Sequence, residues 1–425
     1  MRNKIPAAIL FLWAAVLGLS AVSTLAADWP QWRGPNRDGI VRGVKPPDTW
    51  PETLRPEWKA EVGEGASSPV VVGQSVYMFV RQKPDEELVL CLNLADGRES
   101  WRSPYPAPYK LGGPAHGFEG PRSTPAVADG RVFTFGISGI LSCLDAKSGH
   151  VIWRKDFVGQ YPETAPGWGT SASPLVTDGL CIVHVGGPDK GGLTAFAAKT
   201  GDEKWCYDGD GPAYGSPIVA ELAGEREVVG LTLNDFVGVS LAAGKLLWKI
   251  PCREIHSENC LTPVQYKDLL IYAGRSEVPR AIRLERNAAG IMPREVWKGD
   301  GPTLYMCSPV LAGDLLVGLS DRKSGHLFCA EARTGKTLWE GLSRLQASGS
   351  LVNAGSAWLV LTSGGDLIVV KPSAVQFEQI AKYHVADSHV WTHPVFLGDR
   401  ILVKDETTLR SFAIDSAGDK AAGPR

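Results

Sequence analysis

The chain has 425 residues, and its 44 basic against 46 acidic side chains leave a formal charge of −2, which offers no electrostatic case for binding nucleic acid or an anionic lipid surface. That length is long for one compact core, whereas a ring of repeats grows simply by adding units. None of the eight cysteines falls in the C-x-x-C or Cys/His spacing that binds zinc.

Residues 1–27 read as a cleaved secretory signal. Arg2 and Lys4 charge its start, Ala7 to Leu19 form the apolar run, and Thr24-Leu25-Ala26 or Leu25-Ala26-Ala27 supplies a small-residue cleavage site. The run is short for a membrane span and has no positive flank at its end. Export to the periplasm or medium is expected, and losing Arg2 and Lys4 takes the charge from −2 to −4. No cysteine occurs between the cleavage site and Cys91, so no lipid attachment is expected there. No later stretch is long and apolar enough to cross a bilayer. Residues 28–55 (DWPQWRGPNRDG and onward) are rich in Trp, Pro, Gly and Arg and show no strand period. Trp29, Trp32 and Trp50 are costly to leave in water, so this segment is expected to be an N-terminal strap lying against the surface of the domain that follows, over one mouth of its channel.

From residue 56 the chain repeats, and Ser123 to Trp153 shows the unit best. Ser123, Thr124 and Pro125 open it, and Ala126-Val127 begin a first strand. Asp129-Gly130 is a two-residue hairpin signal, and Val132 to Phe135 form a second strand of β-branched and aromatic residues. Gly136 to Gly139 turn the chain, Ile140 to Leu144 return as a third strand, and Asp145 to Gly149 make a tight turn. Val151 to Trp153 end a fourth strand on an aromatic. Four short antiparallel strands closing on a Trp make one propeller blade. Opening signals recur at Ser68-Pro69, Thr124-Pro125, Ser173-Pro174, Ser216-Pro217, Thr262-Pro263, Ser308-Pro309 and His393-Pro394, with Ser350-Leu351 a degenerate slot. Closing aromatics fall at Trp58, Trp101, Trp153, Trp205, Trp248, Trp297 and Trp339, with Tyr383 standing in once. Both series give eight units at propeller spacing. Trp58 has no strands before it, and Thr392 to Ile414 has strands but no closing Trp, so the strand around Pro56–Ala60 should complete the last blade and remove an open edge. The expected fold is an all-β, eight-bladed β-propeller of four-stranded antiparallel blades over residues 56–415, with a disordered tail at 416–425.

Several stretches depart from the repeat. The polar hairpin Arg81 to Glu87 reads as solvated and functionally silent. The long connection Arg102 to Arg122 carries Tyr105, Tyr109, His116 and Phe118, which either line a binding surface or cover a blade junction. Leu241 to Gly244 shortens the fourth blade's turn, and Arg286 to Glu295 and Lys371 to Gln379 replace the turns of the fifth and seventh.

Cys91, Cys143 and Cys329 occupy one third-strand slot in different blades, too far apart to bridge, and read as small buried hydrophobes. Cys252 and Cys260 flank one inter-blade loop and are the candidate disulfide. His389 and His393, four apart on a loop entering a strand, read as surface or junction histidines before metal ligands. In a propeller the residues just before each inner strand ring the channel mouth. Here the ring holds Arg122, Trp168, Thr170, Tyr214, His256, Glu258, Asn259, Tyr305, His389 and Trp391. Aromatics among Arg, Glu, Asn and His suit a small polar ligand or a peptide, with packing of the ring's narrow centre as the competing explanation. No nucleophile–base pair and no Gly-rich phosphate loop is legible.

The turns closing on Trp, Leu144 to Gly149 with Trp153, Phe196 to Gly201 with Trp205 and Ala330 to Gly335 with Trp339, resemble the tryptophan-docking motif of PQQ-like (pyrroloquinoline-quinone repeat) eight-bladed propellers over roughly residues 56–414. The resemblance implies that each Trp packs on the neighbouring blade's turn and locks the ring. The DWPQWRGPNRDG opening looks like that of exported PQQ-like propellers from planctomycete-type bacteria. Two branches of the family imply two functions. Quinoprotein dehydrogenases of alcohols or sugars use PQQ and calcium, and many carry adjacent cysteines, which this chain lacks; Glu258 and Asn259 are its one suggestive calcium pair. The other branch is non-enzymatic and includes the scaffold lipoprotein of the outer-membrane β-barrel assembly machinery, similar in size. The resemblance so implies an exported binding or scaffold module without catalytic residues, metal or cofactor. It would be a monomer whose partner is another exported or envelope protein or a small polar ligand, with the PQQ/calcium oxidoreductase as the alternative.

Overall fold

The computed structural model describes residues 28–108, 120–157, 167–187, 190–252, 258–346 and 348–415. They form eight four-stranded antiparallel sheets, each made of consecutive strands except the last. Blade one is Val70–Val72, Ser75–Lys83, Glu86–Asn93 and Glu99–Pro106. Blades two to seven start at the inner strands Ala126–Ala128, Leu175–Thr177, Ile218–Leu222, Val264–Tyr266, Val310–Ala312 and Gly349–Asn353. Blade eight runs Val395–Phe396, Arg400–Lys404 and Thr408–Ala413, and Arg55–Glu61 adds its outer strand. That strand pairs with register Lys59↔Arg410 and Glu61↔Thr408, so the two ends of the propeller share one sheet. An eight-bladed ring closed by the N-terminal strand is the architecture the repeat implied.

The middle strands are buried runs such as Val76 to Val80 and Leu88 to Leu92, because each blade is covered on both faces by its neighbours. Outer strands alternate exposed and covered positions. Cys91, Cys143 and Cys329 pair with Trp101, Trp153 and Trp339 respectively, which confirms that they hold one slot in three blades. All three are buried free thiols, and burial pushes those of Cys143 and Cys329 up to about 12.

The opening Ser/Thr residues latch the ring. At five of the junctions the hydroxyl accepts the backbone N–H of the matching residue one blade earlier. Ser68 N–H bonds to Thr124 Oγ1 at 3.1 Å, Thr124 to Ser173 Oγ at 2.9 Å, and Ser173 to Ser216 Oγ at 2.9 Å. Thr262 bonds to Ser308 Oγ at 2.9 Å, and His393 N–H to Ser68 Oγ at 2.9 Å across the closure. An inner strand's first N–H has no ladder partner, so a neighbour's hydroxyl satisfies it.

Six closing tryptophans dock on the next blade. The indole N–H groups of Trp58, Trp101, Trp153, Trp205 and Trp339 bond to the carbonyls of Leu94, Ala146, Ala198, Leu241 and Ser373 at 2.9–3.1 Å. The Trp297 ring lies over Gly335. Two members of the series differ from expectation. Trp248 turns its N–H to Glu227 Oε2 in its own blade, at 2.6 Å, because blade five has the long hairpin Arg280–Asn287 to Gly290–Lys298 where the Gly turn would be. Tyr383 is not the seventh blade's closing residue. By register that slot is Ala381, opposite Val369, and Tyr383 lies two residues on, donating to Pro51 O at 2.6 Å.

The hairpin Arg81 to Glu87 is solvated at its tip, Gln82 to Asp85, but its two ends depart from that reading. Arg81 and Glu87 face each other in register and are 3% and 0% exposed. Glu87 accepts from Tyr105 OH at 2.6 Å and from Ile137 N–H at 2.9 Å in blade two, so it joins two blades. Tyr105 is thereby a junction residue, while Tyr109, His116 and Phe118 lie outside the described residues.

Residues 28–50 lie as a strap against the inner strands, with Trp29, Arg33, Arg37 and Val41 buried toward the ring's centre and Pro35, Asn36, Arg42 and Lys45 exposed. Trp29 pairs with Val71 of blade one, and Pro30 O accepts from Val127 of blade two. Arg37 reaches Ser173 and Pro174 of blade three, and Arg33 reaches Pro309 of blade six. Gly39 and Val41 bond to Asn353 of blade seven, and Val44 packs at Gly398 of blade eight.

Candidate functional site

A cavity of about 320 Å³ opens at the face where the outer-to-inner connections converge. Its walls are Arg122, Trp168, Tyr214, Glu258, Met306 and Trp391, and Trp32 from the central segment lies at its base beside Ser173 and Ser216. Five mouth residues legible in the sequence, contributed by connections entering blades two, three, four, five and eight, thus meet in one place.

They form a connected network. Arg122 Nε–H donates to Trp168 O at 2.6 Å, and Trp168 N–H to Tyr214 OH at 3.2 Å. The Trp168 indole N–H donates to Glu258 Oε1 at 3.1 Å, and Tyr305 OH donates to Glu258 Oε2. Arg275 pairs with Glu258 at 2.9 Å and stacks over the Tyr305 ring at 4.7 Å. Burial raises the Tyr305 phenol, and the carboxylate beside it raises it further; burial lifts the Tyr214 phenol to about 12. Both therefore stay protonated at neutral pH, Tyr305 donating to Glu258 and Tyr214 accepting from Trp168 N–H. Trp391 is 42% exposed, Met306 is 41% exposed, and His389 packs on Trp391 with ring centroids 4.3 Å apart.

Other expected mouth residues are used elsewhere. Thr170 is buried, its N–H bonded to Ile137 O. Asn259 is fully buried: its side-chain N–H₂ donates to the carbonyls of Thr232 and Cys252, its backbone carbonyl accepts from Tyr214 and Gly215 N–H, and its Oδ1 has no partner among the described residues. His256 lies outside the described residues. Cys252 and Cys260 are not joined. Both are free thiols, with Cys260 Sγ–H directed to Glu258 O and Cys252 buried enough to raise its thiol to about 12. Among the described residues no three His, Cys, Asp or Glu side chains gather as a metal site. His393 is buried in the ring centre, its ring 4.5 Å from that of Trp32. Trp32 is the cavity residue the repeat could not reveal, because it comes from outside the repeat.

Of the quinoprotein alternative's calcium pair, both Glu258 oxygens have partners, while the buried Asn259 Oδ1 has none among the described residues. Glu258 is engaged by an indole, a phenol and a guanidinium, and Asn259 is turned into the wall to hold backbone carbonyls. A Lewis-acid site needs ligand oxygens aimed at a common point.

The profile of the family described as outer membrane protein assembly factor BamB matches residues 85–341. The protein of that name from Burkholderia pseudomallei is 24% identical over 316 residues, 72% of this chain and 65% of that protein. The one from Shewanella oneidensis is 24% identical over 230 residues, 51% of this chain and 56% of that protein. The chain so spans less than two thirds of the length of either relative. A quinohemoprotein alcohol dehydrogenase from Comamonas testosteroni superposes with a TM-score of 0.68 at 15% identity, covering 95% of this chain and 82% of that one, a likeness of fold.

Proposed function

The chain belongs to the PQQ-like repeat family described as outer membrane protein assembly factor BamB, and from that premise we propose that it is an exported, non-catalytic binding or scaffold module that engages a partner at the channel mouth. The observation that carries this is the state of Glu258. It is the carboxylate lining the cavity among the described residues, and an acid or base in catalysis needs a face open to substrate. Here it serves as a brace joining the connections into blades three, five and six. Around that brace the mouth presents Trp391 and Met306, an aromatic and a thioether of the kinds enriched in binding surfaces. No helix among the described residues is long and apolar enough to cross a membrane.

The test has two arms, one in the native host's envelope and one on the purified protein. Cross-linking in the native host's envelope, read by mass spectrometry, should recover one partner whose yield drops at least tenfold in Trp391→Ala. Reconstitution with PQQ and calcium should give no dye-linked oxidation of alcohols or aldoses. Turnover that disappears in Glu258→Gln would overturn the scaffold reading in favour of the oxidoreductase.

A further inference from the structure

The central segment carries two cations into the ring, and their surroundings do not neutralise them. Arg33 and Arg37 are 0% and 2% exposed. Arg33 gives one nitrogen to the carbonyls of Asp38 and Pro309, while its Nε and Nη1 have no acceptor among the described residues. Arg37 donates to Pro174 O at 2.8 Å, Ser173 O at 3.0 Å and Gln31 Oε1 at 3.2 Å, and its Nε likewise has no acceptor.

A buried charge is costly unless an opposite charge accompanies it. Asp38 is the one carboxylate acting on Arg33 among the described residues, and it is engaged by Arg42 and the Ile40 N–H. The charge acting on Arg37 is the like charge of Arg33. The remaining polar neighbours are neutral. Burial holds His393 down to about 3, and its Nδ1 has no partner among the described residues; burial holds the Cys307 thiol beside Arg33 up to about 12. Burial lowers both guanidiniums, to about 10 for Arg33 and about 9 for Arg37, so both remain protonated at neutral pH. Carbonyl dipoles solvate part of this charge. They leave three guanidinium nitrogens without acceptors, in a place that water-exposed carboxylates do not reach.

We propose that the channel core between blades three and six is an anion site, in which Arg33 and Arg37 share a small monovalent anion of the chloride class. Enclosure selects the size and charge. A divalent, strongly hydrated oxyanion would lose far more solvation on entry than a halide, and fully buried side chains leave it little space. The anion supplies the missing counter-charge and ties the central segment to blades three and six. It is distinct from the mouth cavity, whose polar network is closed around Glu258.

The full chain is titrated with sodium chloride or sodium bromide at constant ionic strength, with sodium gluconate as balance, and thermal unfolding is followed. A saturable rise in Tm, on the order of 2–4 °C, is expected with either halide. Arg37→Met should lose that dependence while keeping the near-ultraviolet dichroism of the folded ring. Crystals grown in bromide should show an anomalous peak within contact distance of both guanidiniums, a result that does not depend on any variant folding. Equal Tm in chloride and gluconate, or bromide only on exposed side chains, means that carbonyls alone solvate the pair, and the proposal fails.

Discussion

At the scale of single residues, a closing tryptophan acts through its N–H as well as its area. Trp205 donates to Leu241 O at 3.0 Å, and its ring lies where a Cβ on Gly244 would come within 2.7 Å. Gly244 has φ +66°, so both the turn and the indole require glycine there. Trp205 and Trp339 are both 8% exposed, and replacing either by Ala should cost about 3–5 kcal/mol in chemical denaturation. Trp153, less covered, should fall at the low end of that range, and Trp168→Ala at the mouth should cost least. Trp168 proving the most damaging would break the assigned register. Trp248 poses a different case. Its partner Glu227 is fully buried, and desolvation raises that carboxyl to about 7 although the indole N–H pulls it down. A carboxyl raised in the folded state favours folding while it is protonated, so this contribution is full at acid pH and disappears as pH rises through about 7. Stability should therefore fall from about pH 4.5, the ordinary carboxyl value, to about pH 7, by an amount that Glu227→Gln removes. Trp248→Phe, which deletes the N–H donor, should shift the fall to higher pH, as read from urea midpoints against pH.

At the scale of the strand, every blade carries the same irregularity. The pairing of third and outer strands skips one residue before the closing position: Ser100, Ile152, Lys204, Leu247, Val296, Leu338 and Ile380 in blades one to seven, and Glu57 in blade eight. A bulge re-aims the side chain that follows it, and here it places the aromatic opposite the third-strand core slot. It also explains why Ile152, Val296, Leu338 and Ile380 are 37–44% exposed although apolar. Deleting Ile152 restores an unbroken ladder with Trp153 still opposite Cys143, but without the local twist that aims its ring at the next blade. That deletion should destabilise at least as much as Trp153→Ala, whereas Ile152→Ser should change the urea midpoint little. A neutral deletion would show that the bulge has no part in docking.

At the scale of the whole molecule, the ring is closed twice. On the outside, Arg55–Glu61 completes blade eight, reinforced by Arg400 with Glu57 at 2.9 Å and Arg55 with Asp415 at 2.7 Å. In the centre, residues 28–50 touch inner strands of blades one, two, three, six and seven, and Trp32 bonds to Thr262 of blade five. Fewer open edges and long-range ties both favour cooperative unfolding. A chain starting at residue 51 keeps the outer closure and should fold with a lower Tm. One starting at residue 62 loses both closures and should aggregate or unfold over a broad range, as seen by calorimetry. Equal transitions for the two would assign no role to the outer strand.

What the sequence determined by itself is the period. Gly turns, Ser/Thr-Pro openings and closing tryptophans are local signals, each set by the backbone conformation of a few neighbouring residues, and so eight blades and their closure were legible. Five of the mouth residues were legible for the same reason, since position within a repeat dictates the face of the ring. The tertiary structure decided whatever depends on distant partners. Glu87 looked solvated until Ile137 of the next blade supplied its donor. Asn259 looked like a ligand until the carbonyls of Thr232 and Cys252 took its amide. Tyr383 looked like a closing residue until the bulge at Ile380 moved the slot to Ala381. Trp32, Arg33 and Arg37 carry no period at all, and their place in the channel follows from inner strands up to 276 residues away, because an aperiodic segment takes its conformation from the surface that buries it.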